Sequence, residues 1–227
     1  MAFDFTPLWI SLRTSVCAGI IVFALGLCCA RAFLYAKGWV KWLTDVLFTL
    51  PLVLPPTVLG YFLLVAVGKN SPLGQWLMQW DISLIFTWPA TVVAAVVVAF
   101  PLMYRAAKGA LEQVDTDMVW AARTLGMNEW RIFIRIMLPQ AWPGIAAGLV
   151  LAFARALGEF GATMMIAGNI PGQTQTIPMA IYFATAAGNM ETAGIWVAII
   201  TVVSCLALGM MQYYQTRASR TRGKGQS

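Results

Sequence analysis

The chain has 227 residues, of which 60% are hydrophobic and only 11% charged, and its formal net charge is +6. A soluble domain carries about 25% charged residues, so the composition excludes an ordinary water-soluble globule and points to a chain solvated by lipid. There is no histidine, which removes His-based metal sites and the Ser-His and Cys-His nucleophile pairs.

Five apolar runs approach the length of about 20 residues that crosses a bilayer core. They predict a five-span, all-α helical bundle, with the whole of residues 1–227 forming a single membrane domain. The first span covers residues 8–30 and holds Cys17, Cys28 and Cys29. With Cys205 in the last run these form no C-x-x-C pair or extracellular framework, and read as small packing residues. The start, Met1 to Phe5, lacks a cationic n-region, so no signal peptide is expected.

The second span, 46–67, contains Pro51, Pro55 and Pro56. Each proline removes a helical hydrogen bond and bends the helix. The freed carbonyls need protein or cavity water, so the bend serves either a transport path or packing alone. The third span is 87–104. Trp9, Trp42, Trp88, Tyr104, Trp142, Tyr213 and Tyr214 fall at span edges, the depth that amphipathic rings favour.

A polar loop, 105–142, follows. Its segment Asp115 to Pro139 reads as two short helices. Asp115 or Thr116 caps the first, with Asp117 in its first turn. Gly126 ends it just past Leu125. Asn128 caps the second, which stops before Pro139. The elbow is expected to present Ala121, Ala122, Leu125 and Met127 to a soluble partner. The competing reading is an amphipathic elbow on the membrane surface, with Trp130, Phe133 and Ile134 in the interface.

The fourth span, 143–167, carries Arg155 and Glu159 at i and i+4, hence on one helix face. Charges at this depth cost about 2.5–3.5 kcal/mol each on insertion scales. They should face the interior and pair, either beside a pore or as a lock between spans. Gly144 and Gly148 make a G-x-x-x-G pattern suited to close helix packing. The next loop, 168–194, has Glu191 as its only charged residue. Its part 177–187 is a short helix or a re-entrant piece, serving as an outer gate or as a surface for an outside partner. The last span is 195–213.

Twelve of the fifteen cations fall on one side of this layout: Arg31, Lys37, Lys41, Arg105, Lys108, Arg123, Arg131, Arg135, Arg217, Arg220, Arg222 and Lys224. The positive-inside rule then places the N-terminus outside and the C-terminus in the cytoplasm. The basic tail reads as a topology signal, not a nucleic-acid site. A bundle this small favours a path between two copies, so a symmetric dimer is expected.

The pattern Ala121-Ala122-x3-Gly126-x9-Ile136-x-Leu138-Pro139 resembles the EAA loop of ABC importer permeases. It departs at the first position, where the family has Glu and this chain has Trp120. Leu50 to Gly60 (LPLVLPPTVLG) resembles the second-span signature of molybdate permeases. Leu157 to Thr163 (LGEFGAT), with Asn169 to Gly172 and Thr176 to Pro178, resembles their fourth span and following loop. The resemblance runs from about Leu8 to Tyr214.

It implies a fold of the type I ABC importer permease kind with a cytoplasmic coupling helix. The coupling set is Ala121, Ala122, Arg123, Leu125, Gly126, Met127 and Asn128. The translocation path or gate is assigned to Pro55, Pro56, Arg155, Glu159 and Thr163. The implied assembly, in a bacterial inner membrane, is a homodimer with two cytoplasmic ATPase subunits and an extracytoplasmic oxyanion-binding protein. Molybdate is the expected cargo, with tungstate or sulfate as alternatives. The chain has no G-x-x-x-x-G-K-[ST] loop, so ATP and Mg belong to the partner and no cofactor or metal to this chain. From other classes, an intramembrane enzyme would need a second carboxylate beside Glu159, and a non-transporting scaffold or channel would need no ATPase.

Overall fold

A computed structural model describes residues 4–80 and 83–223. Every regular element among them is helical. Helix α1 (Thr6–Ala32) starts with Pro7 in its first turn, where a missing N–H costs nothing. It buries a face of small residues: Ser11, Ser15, Ala18, Gly26 and Ala30. That face packs along α5 (Trp88–Glu112). At Gly26 a Cβ would stand 2.7 Å from Met103 Cγ, so only glycine permits this approach. In lipid, packing between helices rests on such close backbone contact and not on water exclusion.

Helix α8 (Leu138–Leu157) closes on the other flank of α5. Gly144 faces Ala110 at 2.8 Å and Gly148 abuts Ala106, as measured from ideal Cβ positions. The G-x-x-x-G pattern therefore serves packing within the chain. The core of the molecule is this α1–α5–α8 stack, running from Ala18 and Val22 down to Phe133 and Met137.

Two expected spans are broken. The stretch 46–67 is divided between α2 (Gly38–Val53) and α3 (Pro56–Val67), which meet at 113°. The break falls at Leu54-Pro55, because a residue before proline is pushed into extended geometry (Leu54 φ −70°, ψ 138°). Pro51 stays inside α2, and Pro56 sits in the first turn of α3. The stretch 143–167 ends as a helix at Leu157, and residues Gly161–Ala167 form a separate helix, α9. Its helical start lies earlier, since α7 (Glu129–Ile132) and a π turn (Phe133–Met137) run directly into α8.

Among the described residues four helices are long and apolar enough to cross a membrane, or five if the bent α2–α3 pair counts as one. They include α11 (Met190–Gly223), apolar through Met210. The side chains of Tyr213, Tyr214 and of the tail cations Arg217, Arg220, Arg222 and Lys224 lie outside the described residues. The polar loop is shorter than 105–142: α5 continues to Glu112, so Arg105 and Lys108 are helical, and Trp130 to Trp142 belong to the next helical stretch.

Two short helices complete the chain, α4 (Pro72–Met78) and α10 (Ile177–Ala186). The second is the short-helix form of the 177–187 segment. Its first backbone N–H, of Ile177, donates to Ser11 Oγ of α1 at 2.8 Å. Tyr104 is not an interfacial ring: it is buried in the α1–α5–α8 core. Cys28 and Cys205 are surface residues, while Cys17 and Cys29 are half-buried.

Candidate functional site

The elbow is built by local hydrogen bonding. Helix α6 (Thr116–Thr124) is capped by Asp115, whose Oδ1 accepts from Asp117 N at 2.8 Å. Asp117 and Arg123 sit at the ends where their charges suit the helix dipole. Gly126 has φ +75°, and the chain closes with Gly126 N–H to Arg123 O at 3.0 Å and Met127 N–H to Ala122 O at 3.1 Å. This pair of bonds is the Schellman stop. Two residues on, Asn128 Oδ1 accepts from Arg131 N at 2.8 Å and starts α7.

A carboxylate pins the two arms. Glu129 accepts from Arg123 Nε at 2.7 Å and from its terminal nitrogen at 3.1 Å. Arg31, at the end of α1, lies 3.9 Å from the same carboxylate. The Arg123 guanidinium also sits 4.8 Å from the Trp120 ring centroid, a cation–π geometry. Donating these hydrogen bonds to the Glu129 carboxylate raises the Arg123 pKa above its ordinary value.

The elbow does not present all four expected residues. Leu125 is 81% exposed and Ala121 lies on the surface, but Ala122 is only 4% exposed. Ala122 packs inward beside Val119 against the core, and Met127 leans on the same cluster. Only a small residue at 122 lets α6 lie this close. Of the three residues expected in an interfacial elbow, Trp130 and Ile134 are exposed and Phe133 is buried. On and just after α6 the exposed large apolar side chains are Met118, Trp120 and Leu125.

A second constellation lies where α3 meets α9. A Cβ on Gly161 would stand 2.8 Å from Pro56 Cβ, and one on Gly60 would stand 2.7 Å from Met165 Cβ and 3.0 Å from Ala162 Cα. These two glycines bring Pro55 and Pro56 against the start of α9, next to buried Thr163. Glu159, 3% exposed, sits in the break between α8 and α9. One of its oxygens accepts from Arg155 at 2.9 Å and the other from Ala162 N at 2.9 Å. The carboxylate therefore joins α8 to α9 across the break. The fold thus brings Pro55, Pro56, Arg155, Glu159 and Thr163 into one region, separate from the elbow.

Sequence reasoning missed a buried polar cluster. Asp45 on α2 accepts from Tyr104 OH at 2.7 Å and from Lys108 Nζ at 2.5 Å, and Lys108 lies 3.2 Å from the same phenol oxygen. Lys108 had been counted as a loop cation for orientation, yet it is 6% exposed. The available signal was Asp45 itself, an acid at the edge of an apolar run that needs a partner. Gly60 was likewise unassigned; its place directly against Ala162 and Met165 of α9 is a matter of tertiary contact alone.

The model of the binding-protein-dependent transport system inner membrane component family matches residues 22–221. The molybdenum transport system permease protein ModB of Haemophilus influenzae is 42% identical over 220 residues, covering 95% of this chain and 96% of that protein. ModB of Escherichia coli strain K12 is 46% identical over 183 residues, covering 80% of each. Among solved structures, a chain of the inward-facing MetNI methionine ABC transporter superposes with a TM-score of 0.73 over 93% of this chain and 94% of its own, at 16% identity. That likeness is one of fold.

Proposed function

The chain belongs to the binding-protein-dependent transport system inner membrane component family, and on that premise we propose that it is the permease subunit of an ATP-driven importer of molybdate. Two copies form the path. A pair of cytoplasmic ATPase subunits supplies energy, using ATP and Mg that this chain does not bind. A binding protein delivers the oxyanion from outside. The elbow side is cytoplasmic and the N-terminus is outside, in keeping with the cations at Arg31, Lys37, Lys41, Arg105, Arg123, Arg131 and Arg135.

The observation that carries this reading is the elbow. It is a rigid, doubly capped turn at the polar end of an apolar bundle, and it exposes Leu125 beside small Ala121. Apolar side chains exposed in water on a rimmed polar surface mark a protein contact. The energetics require such a contact. A dianion entering a cell that is negative inside climbs about 2.3 kcal/mol per charge at 100 mV, so about 4.6 kcal/mol in all.

The ATPase biases a two-state permease. When the ATPase pair closes on ATP it moves the elbow. The Arg123–Glu129–Arg31 contact carries that movement to the end of α1, whose opposite end holds α10 through Ser11. At the gate, Glu159 locks α9 to α8 and tempers Arg155, so a dianion is not held too tightly to leave. Pro55 and Pro56 set the angle at which α3 meets α9.

The test is reconstitution of the permease with its ATPase and binding protein in liposomes. Molybdate should stimulate ATP hydrolysis and accumulate, more strongly than tungstate or sulfate. Equal stimulation by sulfate would reassign the cargo. Failure of the permease to recruit any ATPase would favour a scaffold or channel.

A further inference from the structure

The half of α5 nearer the elbow is bordered by two grooves. One, of about 530 Å³, lies between α5 and α8, and the other, of about 620 Å³, lies between α5 and α2. Arg105 and Gly109 line both. A Cβ at Gly109 would meet nothing within 4 Å, so the ridge between the grooves is bare backbone there, and the two grooves flank it as the sides of one basin.

Three cations border this basin: Lys41, Arg105 and Lys108. Lys108 is matched by Asp45 at 2.5 Å and Lys41 by Glu112 at 3.5 Å. Arg105 makes no ion pair among the described residues and is exposed. It is also the only charged side chain among those lining the α5–α8 groove, whose rim otherwise offers Gln113 and Gln140 amides. The basin therefore keeps one uncompensated positive charge, placed where both grooves open.

We propose that Arg105 contacts the cargo in an inner basin, holding the tetrahedral oxyanion after it has passed the α3–α9 gate and before it enters the cytoplasm. The inference rests on the importer reading above. A guanidinium fork suits two oxygens of such an anion. Its exposure keeps the interaction weak by screening, which suits a release site. The paired acids Asp45 and Glu112 leave the basin with a single net charge, enough to attract the anion without trapping it. An anionic lipid headgroup offers the same tetrahedral chemistry, and the vesicle composition in the experiment separates the two.

The experiment uses the full complex in liposomes with the ATPase side facing the bath. Radiolabelled molybdate bound from the bath is measured without binding protein, together with transport of delivered molybdate. Arg105→Gln should weaken bath-side binding about tenfold, the loss of one charge-assisted contact. It should lower the maximal transport rate while leaving KM for delivered cargo unchanged, and Arg105→Lys should restore most of both. Unchanged binding by Arg105→Gln, or a transporting wild type with no bath-side binding, would overturn the proposal. So would a defect that vanishes in pure phosphatidylcholine vesicles, since a lipid headgroup would then be the ligand. A wild-type complex that moves no tetrahedral oxyanion would reject the importer reading itself, whatever Arg105 does.

Discussion

The elbow and the α3–α9 joint are built in opposite ways. The elbow stands on contacts between near neighbours in the chain: Asp115 to Asp117, Ala122 to Met127, Asn128 to Arg131 and Arg123 to Glu129. The α3–α9 joint stands on contacts about a hundred residues apart, where Gly60 and Gly161 let two short helices pack closely. A locally capped turn keeps its shape when a partner pushes it. A joint of two short helices held by small residues and one carboxylate has fewer restraints, and is the part that can change packing. A rigid elbow and an adjustable α3–α9 joint are the arrangement that the proposed ATP-driven permease needs.

Variants should separate the two regions in a crossed pattern. The largest effect is expected for Gly60→Val, which forces branched carbon into Met165 and the Ala162 backbone at 2.7–3.0 Å. Overpacking of this kind costs about 1–3 kcal/mol. Uptake should be lost while the assembled complex still contains its ATPase on a sizing column. Retained uptake would remove the α3–α9 contact from the mechanism.

Glu159→Gln should come next. It removes a charged acceptor worth about 1.5–3 kcal/mol and leaves Arg155 without its partner. Molybdate uptake should fall several-fold, with ATPase docking intact, as read by uptake and co-purification in parallel. Normal uptake at normal expression would reduce the pair to packing.

Gly126→Val attacks the other region. A branched residue at φ +75° costs about 1–2 kcal/mol, although nothing crowds the site. The Schellman stop should loosen and ATPase recruitment should drop, while the transmembrane helices keep their thermal stability. A variant that recruits ATPase normally would show that turn geometry is not what the partner reads. The smallest effect belongs to Arg123→Gln. Its bond with Glu129 is a surface ion pair, worth about 0.2–1 kcal/mol. Stability should barely move, and coupling, measured as molybdate transported per ATP, should fall slightly at low salt, with the difference from wild type shrinking at high salt.

The same contrast explains what could be read in the chain. Caps at Asp115 and Asn128 and the stop at Gly126 are properties of a few adjacent residues, so their spacing announces them. Hydropathy also marks α1 and α5, whose apolar length is uninterrupted. The prolines announced a bend in the second span but not that it becomes a 113° break, and the break at Gly158 to Phe160 was hidden because both flanks are apolar and a window averages across them. Ala122 was expected outward because a small residue invites approach from either side. Its burial follows from how α6 lies on Val114, Leu111 and Met137, which no local pattern encodes. Lys108 was misplaced because charge counting treats every cation near a span end as solvated, whereas α5 runs on and delivers it to Asp45.

The elbow is the proposed seat of the ATPase. Leu125, 81% exposed, is the side chain to change, since Leu125→Asp leaves the fold's own contacts untouched. In liposomes carrying permease, ATPase and binding protein, molybdate-stimulated ATP hydrolysis should fall at least about tenfold, the loss expected for a central contact residue. ATPase subunits should also dissociate from the variant permease. Stimulated hydrolysis at the wild-type rate, with the ATPase still bound, would contradict the account.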